Sequence, residues 1–239
     1  MKLIVLGSNS KGNGYILTTG EEALIIECGV PFSAAKKALD FNVSSVAGIL
    51  VSHRHGDHAK YLPDYAKIGV KVFAGEDVLT GRENGVVIDG PMCKTSMGGF
   101  NVVAFEVAHD VPTYGFHIQH PDMGNMLFLT DTYLCEYVFP DLSNILIEAN
   151  FSDEILRSNL QKGITPRFVA DRVWESHMEI ETTKEILKAH DLTKVVNIVL
   201  IHLSDHNSDA DMFEREISGI AGRPVHIARK GLTLNLSSL

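Results

Sequence analysis

The sequence predicts an α/β (α+β) domain in which two β-sheets pack face to face and helices cover their outer sides. Three observations point there. Short apolar segments with strand character recur through both halves of the chain. Segments with helical spacing follow them in each half. No long linker, repeat or low-complexity tract divides residues 1–239, so the whole chain reads as one domain.

Residues 2–6, 15–19 and 23–27 are apolar segments separated by Gly, Ser and Asn clusters, the pattern of an antiparallel meander. Residues 32–39 carry apolar side chains at helical spacing behind Pro31, a residue suited to a helix start. The uninterrupted apolar run 46–51 reads as a buried strand, followed by a His-rich loop and a helix from about 58 to 68. Strands are expected at 70–74, 100–108, 113–119, 126–130 and 145–149. Residues 152–176 are the least regular part, because Gly163 and Pro166 interrupt possible helices. There Arg157, Lys162, Arg167 and Arg172 are balanced by Asp153, Glu154, Asp171 and Glu175. A solvated helical insertion is the preferred reading over a substrate-binding lid, with Trp174 packed inside it. A helix at 182–189, a fully apolar strand at 195–201, a helix at 209–220 behind Asp209 and a strand at 225–228 complete the chain.

A hydrophobic share of 45% and a charged share of 21% are those of a soluble globular protein. No apolar run approaches a membrane span, and the apolar start is too short for a signal peptide. The three cysteines have no paired spacing, which suits thiols in a reducing cytoplasm and argues against a zinc role for them. The formal charge of −9 excludes a broad basic surface for nucleic acid. It leaves catalysis on DNA open, since two divalent ions would add four positive charges at one spot.

The chemistry is concentrated in His53-Arg54-His55-Gly56-Asp57-His58. Four potential metal ligands stand within six residues, at the end of a buried strand, where a turn can aim several side chains at one point. Imidazole and carboxylate are the ligands that zinc and its divalent neighbours prefer. The spacing does not fit one helix face, so we expect a loop that serves two adjacent ions. Three further candidates each end an apolar strand: His109, Asp131 and His202. Strand ends along one edge of a sandwich converge on one rim, and the resulting seven ligands suffice for two metals when one carboxylate bridges them.

His-x-His-x-Asp-His, a lone His, an Asp in Leu129-Thr130-Asp131-Thr132 and a strand-terminal His resemble the metallo-β-lactamase fold superfamily in both type and order. The resemblance implies a four-layer αββα sandwich. It also implies one ion held by His53, His55 and His109, a second by Asp57, His58 and His202, and Asp131 bridging both. Further stretches resemble the WalJ (YycJ) branch: Gly7-Ser8-Asn9-Ser10-Lys11-Gly12-Asn13, Ala108-His109-Asp110, Leu146-Ile147-Glu148-Ala149-Asn150 and His202-Leu203-Ser204-Asp205-His206-Asn207. That branch implies DNA exonuclease activity in the 5′-to-3′ direction. There is no room for a β-CASP insertion between Asp131 and His202. The chain departs from the branch at Glu27-Cys28-Gly29, where Asp-Ala-Gly is usual, and at Asn207-Ser208, where Asn-Asn is common.

Two cations about 3.5–4 Å apart can lower the pKa of a shared water, whose hydroxide would attack phosphorus. Asp57 is the candidate for ligating one ion and orienting that nucleophile. His177 is the candidate for contacting the phosphate or protonating the leaving group, with Glu148 orienting it or a ligand. The backbone amides of residues 8–13, a stretch that includes the candidates Ser8, Lys11 and Asn13, could form an anion-binding nest for a phosphate, or the stretch could be an ordinary hairpin loop with Lys11 solvated. His206 could support the substrate pocket or lie exposed. Zinc and manganese both suit the ligand set. Small cyclic or nucleotide phosphodiesters are the alternative substrate. A non-catalytic metal-bound regulatory or nucleic-acid module is the reading from another class, and it is disfavoured by the complete ligand set. Oligomeric state is not encoded in any pattern we find.

Overall fold

The computed structural model describes residues 1–79 and 84–237. The first sheet takes β1 (Lys2–Gly7), β2 (Gly14–Thr18), β3 (Ala23–Ile26), β4 (Val46–Leu50), β5 (Lys71–Ala74) and β6 (Gly85–Val87) in spatial as well as chain order. The second takes β7 (Met92–Met97), β8 (Phe100–Val107), β9 (Thr113–His120), β10 (Gly124–Leu129), β11 (Leu142–Glu148), β12 (Asn197–Ile201) and β13 (Val225–Ile227), again in order. A last strand, β14 (Thr233–Asn235), returns to the first sheet and pairs antiparallel with β1 through Lys2↔Asn235 and Ile4↔Thr233. Each sheet is antiparallel on one side and parallel on the other: β3 to β6 and β10 to β13 run parallel. The parallel strands are the continuous apolar runs of the sequence, because both of their faces are covered.

Helices α1 (Phe32–Ala38), α2 (Gly56–Ala59), α3 (Leu62–Tyr65) and α4 (Glu76–Leu79) belong to the first half. The second half carries α5 (Asp153–Gln161), α6 (Arg167–Ser176), α7 (Ile180–Ala189) and α8 (Ala210–Ala221). Three apolar layers separate four structural ones. Between the sheets, Leu17, Leu24, Leu50 and Phe73 meet Phe116, Phe128, Leu146 and Val199. Their strand neighbours point the opposite way, as a two-residue period requires. Ile16, Ile25, Ile49 and Val72 therefore face outward, beneath Ala35, Leu62 and Tyr65 of the first helical layer. Leu127, Ile145, Ile147 and Leu200 face outward beneath Ile186, Leu187, Phe213 and Ile217 of the second. This is the four-layer αββα sandwich.

The structure differs from the sequence reading in identifiable places. The helix expected at 58–68 is broken into α2, α3 and a 3₁₀ turn. Pro63 sits in the first turn of α3, whereas a continuous helix would drive its ring into the carbonyl of residue 59. Strands β6, β7 and β14 were not anticipated; β7 reads Met-Cys-Lys-Thr-Ser-Met, mostly at least partly exposed. Gly163, at φ 71°, and Pro166, capping α6, do punctuate residues 152–176, but two helices form around them. Those helices share a small core of Phe151, Leu156 and Ala170. Trp174 packs between Arg157 and Arg167, 5.3 and 5.9 Å from its ring, and its Nε1–H donates to Asp153 at 2.8 Å.

Candidate metal centre

The parallel strands bring their carboxyl ends to one rim in each sheet, the place where open α/β sheets gather ligand-binding loops. Register aligns these ends: Ile26↔Leu50 in the first sheet, Leu129↔Ile147 and Glu148↔Ile201 in the second. The loop after β4 therefore meets Asp131 after β10 and His202 after β12, while His109 follows β8.

All seven sequence-expected side chains come together there. In one group, His55 Nδ1 lies 3.0 Å from His53 Nε2 and 3.3 Å from His109 Nε2. In the other, Asp57 Oδ2 lies 3.3 Å from His58 Nε2 and 3.2 Å from His202 Nε2. Asp131 stands between the groups, with Oδ1 3.3 Å from His58 Nε2 and Oδ2 3.8 Å from His53 Nε2. Each group, {His53, His55, His109} and {Asp57, His58, Asp131, His202}, has its donor atoms within 4.8 Å of one another.

The donor set fits metal cations, as the outer atoms of the imidazoles show. His109 Nδ1 faces the Ser176 carbonyl at 2.7 Å; a carbonyl only accepts, so Nδ1 carries the proton and the lone pair of Nε2 turns inward. His58 Nδ1 lies 3.4 Å from Glu27, His202 Nδ1 3.1 Å from Glu148, His53 Nδ1 2.9 Å from Ser52 Oγ and His55 Nε2 3.4 Å from Asp110. Holding the outer nitrogen in this way sets the tautomer and aim of a metal-binding histidine. Glu148 is fully buried to do so; Glu27 is equally buried, and its Oε2 and His58 Nδ1, 3.4 Å apart, face each other without a hydrogen bond. Glu27, at φ 67°, accepts the Ser52 N–H at 3.1 Å, tying β3's end to the ligand loop. Asp131 and His202 also adopt left-handed backbone, φ 41° and 54°, a strained conformation for residues with a Cβ.

The electrostatics differ between the two groups. Burial, aided by the charge on His58, holds His53 well below the ordinary histidine range, and burial also lowers His55 and His109, leaving three neutral imidazoles. At His202 burial works in the same direction, but Asp131, Asp57 and Glu148 overcome it and raise the imidazole to about 10. His58 is likewise raised, despite complete burial, by Asp131 and Glu27. Burial would raise Asp131, yet His202 and His58 hold it well below the usual carboxylate range. The second group is thus a pocket of negative charge that demands a cation, whether proton or metal.

The remaining candidates divide. His177 follows α6 at the edge of the centre; its Nδ1 donates to Glu148 at 2.8 Å and lies 3.9 Å from Asp131 Oδ2. Glu148 spans the site, accepting also from the backbone N–H groups of Thr132 and Met178 at 3.1 and 3.2 Å. Ser8 and Asn13 are buried, and the fold uses their side chains. Ser8 Oγ accepts the His202 N–H at 2.9 Å, and Asn13 Nδ2 sits 3.0 Å from His58 Nε2 and 3.3 Å from Asp57 Oδ2. Lys11 is exposed and bonds Asp205 at 2.7 Å; His206 is exposed at the same rim. Sequence reasoning missed Asp110, the Ser176 carbonyl and Ser52. Only Asp110 carried a signal, its place directly after His109.

Comparisons with known proteins agree with this geometry. The profile of a family described as "Anti-Pycsar protein Apyc1" matches residues 2–69. The exodeoxyribonuclease YycJ of Bacillus anthracis is 26% identical over 235 residues, covering 90% of this chain and 87% of its own. Among solved structures, the metallo-β-lactamase fold protein YhfI of Bacillus subtilis superposes with a TM-score of 0.70 at 17% identity, covering 98% of each chain. The short form of human tRNase Z superposes with a TM-score of 0.67 at 15% identity, covering 99% of each. Fold, ligand order and likeness along nearly the whole chain converge: this protein has the metallo-β-lactamase fold and is similar to the YycJ/WalJ exodeoxyribonucleases.

Proposed function

We propose that the protein is a metal-dependent DNA exonuclease that degrades strands from 5′ to 3′ in the cytoplasm, with residues 1–239 acting as one domain. The observation that carries the reading is the ring of inward-facing donor atoms, with the outer nitrogens of His53, His109 and His202 already held by hydrogen bonds. His53, His55 and His109 would hold one divalent ion and Asp57, His58 and His202 a second, with Asp131 shared; three imidazoles suit zinc, and a site with two carboxylates also suits manganese. When bound, such ions supply a nucleophilic water and neutralise charge on the phosphoryl oxygens. Asp57, about one-fifth exposed, is the carboxylate placed to orient that water. Glu148 accepts the Nδ1–H of His177, so that the imidazolium form of the ring would present its second N–H, at Nε2, to the phosphate or to the departing deoxyribose oxygen. Asn13 holds Asp57 and His58 in register.

The charge of −9 favours a second reading, hydrolysis of small nucleotide or cyclic phosphodiesters. The test is to incubate zinc- or manganese-loaded protein with end-labelled duplex DNA, single-stranded DNA, RNA and small phosphodiesters. Mononucleotide release from duplex ends, absent in Asp57→Ala, is the expected result. Cleavage of small diesters alone would establish the second reading instead. Among the described residues no helix is long and apolar enough to cross a membrane.

A further inference from the structure

Next to the metal centre a groove of about 350 Å³ opens between α6 and the 202–207 loop. His177 and His202 form its inner end. Its wall is aliphatic, made by Ile164, Pro166, Val169 and Val173. Val169, Val173 and His177 are spaced four residues apart, so one face of α6 runs from the solvent edge to the site. The wall is open to solvent at its outer end, where Ile164 is 57% exposed. Large side chains left in water beside a charged centre, with polar groups around them, mark a ligand surface rather than a packing remnant.

Among the described residues neither Lys nor Arg lines this groove, and the nearby Lys11 is paired with the lining Asp205 at 2.7 Å, so it does not read as a phosphate channel. An aliphatic wall faced by hydroxyl, amide, imidazole and carboxylate groups of Ser10, Ser204, Asn207, His206 and Asp205 matches a nucleobase, which has apolar faces and polar edges. The volume stands near the lower end of small-molecule sites, roughly 300–1,000 Å³, which is room for one nucleoside rather than several. We propose that this groove is the base subsite of the enzyme, seating the nucleobase of the nucleotide that abuts the scissile phosphate, an inference that rests on the polynucleotide reading above. Residues 152–176, read from sequence as a solvated insertion, then supply the wall that recognises substrate.

The test uses metal-loaded protein and labelled oligonucleotides whose terminal two residues are intact or carry an abasic tetrahydrofuran in place of either nucleotide. Wild type should cut intact ends with a kcat/KM about tenfold above that for one of the abasic ends, the lower range of what a stacked base contributes. Ile164→Ser, at an exposed position that does not burden folding, should treat the two ends alike. If wild type cuts intact and abasic ends equally, or Ile164→Ser keeps the full preference, the groove is not the base subsite and the nuclease reading stands. If no polynucleotide is cut with zinc, manganese or magnesium, the nuclease reading falls and the groove's role falls with it.

Discussion

Replacing Glu148 by Gln changes no volume and removes one acceptor from a position that uses four. In the native protein Oε1 accepts from His177 Nδ1 at 2.8 Å and faces His202 Nδ1 at 3.1 Å, while Oε2 accepts two backbone N–H groups at 3.1 and 3.2 Å. A Gln amide must turn its NH₂ toward one pair or the other. Turned toward Thr132 and Met178, it leaves two buried backbone donors without acceptors, a loss of about 2–4 kcal/mol. For a chain of this length that lowers Tm by about 5–12 °C. Turned toward the imidazoles, it forces His202 to accept at Nδ1 and carry its proton on Nε2, the atom 3.2 Å from Asp57. Metal affinity at the second group would then drop about 10–100-fold. Calorimetric metal titration together with thermal unfolding of the metal-free protein separates the two outcomes. Tm and affinity both within error of wild type would refute the role assigned to Glu148.

Three further outcomes can be checked on the same protein. In chelator-treated protein, His202 is raised from 6.5 to about 10, so its stabilising charge is complete below pH 6.5 and is lost as pH rises through about 10. The Tm of that form should decline from pH 7 to 10; a flat profile would contradict the pairing with Asp131 and Asp57. Gly29→Ala puts a Cβ 1.6 Å from the Asp57 carbonyl oxygen and 2.7 Å from the Asn13 nitrogen, both backbone atoms, and should cost at least about 3 kcal/mol in urea unfolding. Asp110→Ala removes the partner of His55 Nε2 and of Arg172, 3.6 Å away, and should weaken metal binding about tenfold with little change in stability, since Asp110 is 40% exposed. Unchanged metal affinity in that variant would reduce Asp110 to a surface residue.

The convergence of the seven candidate ligands was legible because their chemistry is local: four sit in one loop, and each of the others terminates an apolar run whose end is itself a sequence feature. The layers were legible for a related reason, since alternating or continuous apolar runs state which faces are covered. Glu148 was legible as a partner of His177 or a ligand, but most of the other supporting contacts were not. Asn13 meets His58, Glu27 meets His58 and Ser176 meets His109 across sequence separations of 45, 31 and 67 residues, and neither amide, carboxylate nor main-chain carbonyl advertises such a partner. The edge strands β7 and β14 escaped because half-exposed strands carry polar residues and lose their apolar signature. The ends of α2 and α3 were misjudged because periodicity ran through Pro63 while the backbone could not.

The return of β14 to the first sheet bears on how the molecule is made. During synthesis, the outer edge of β1 stays unpaired until residues 233–235 have emerged, although its own sheet is otherwise encoded before residue 90. A nascent chain therefore carries an open hydrogen-bonding edge through most of translation, a hazard for pairing with neighbouring chains. The cation pocket ripens on the same schedule, since His202 arrives some 150 residues after His53. On the reading proposed above, metal capture belongs to the closing act of folding.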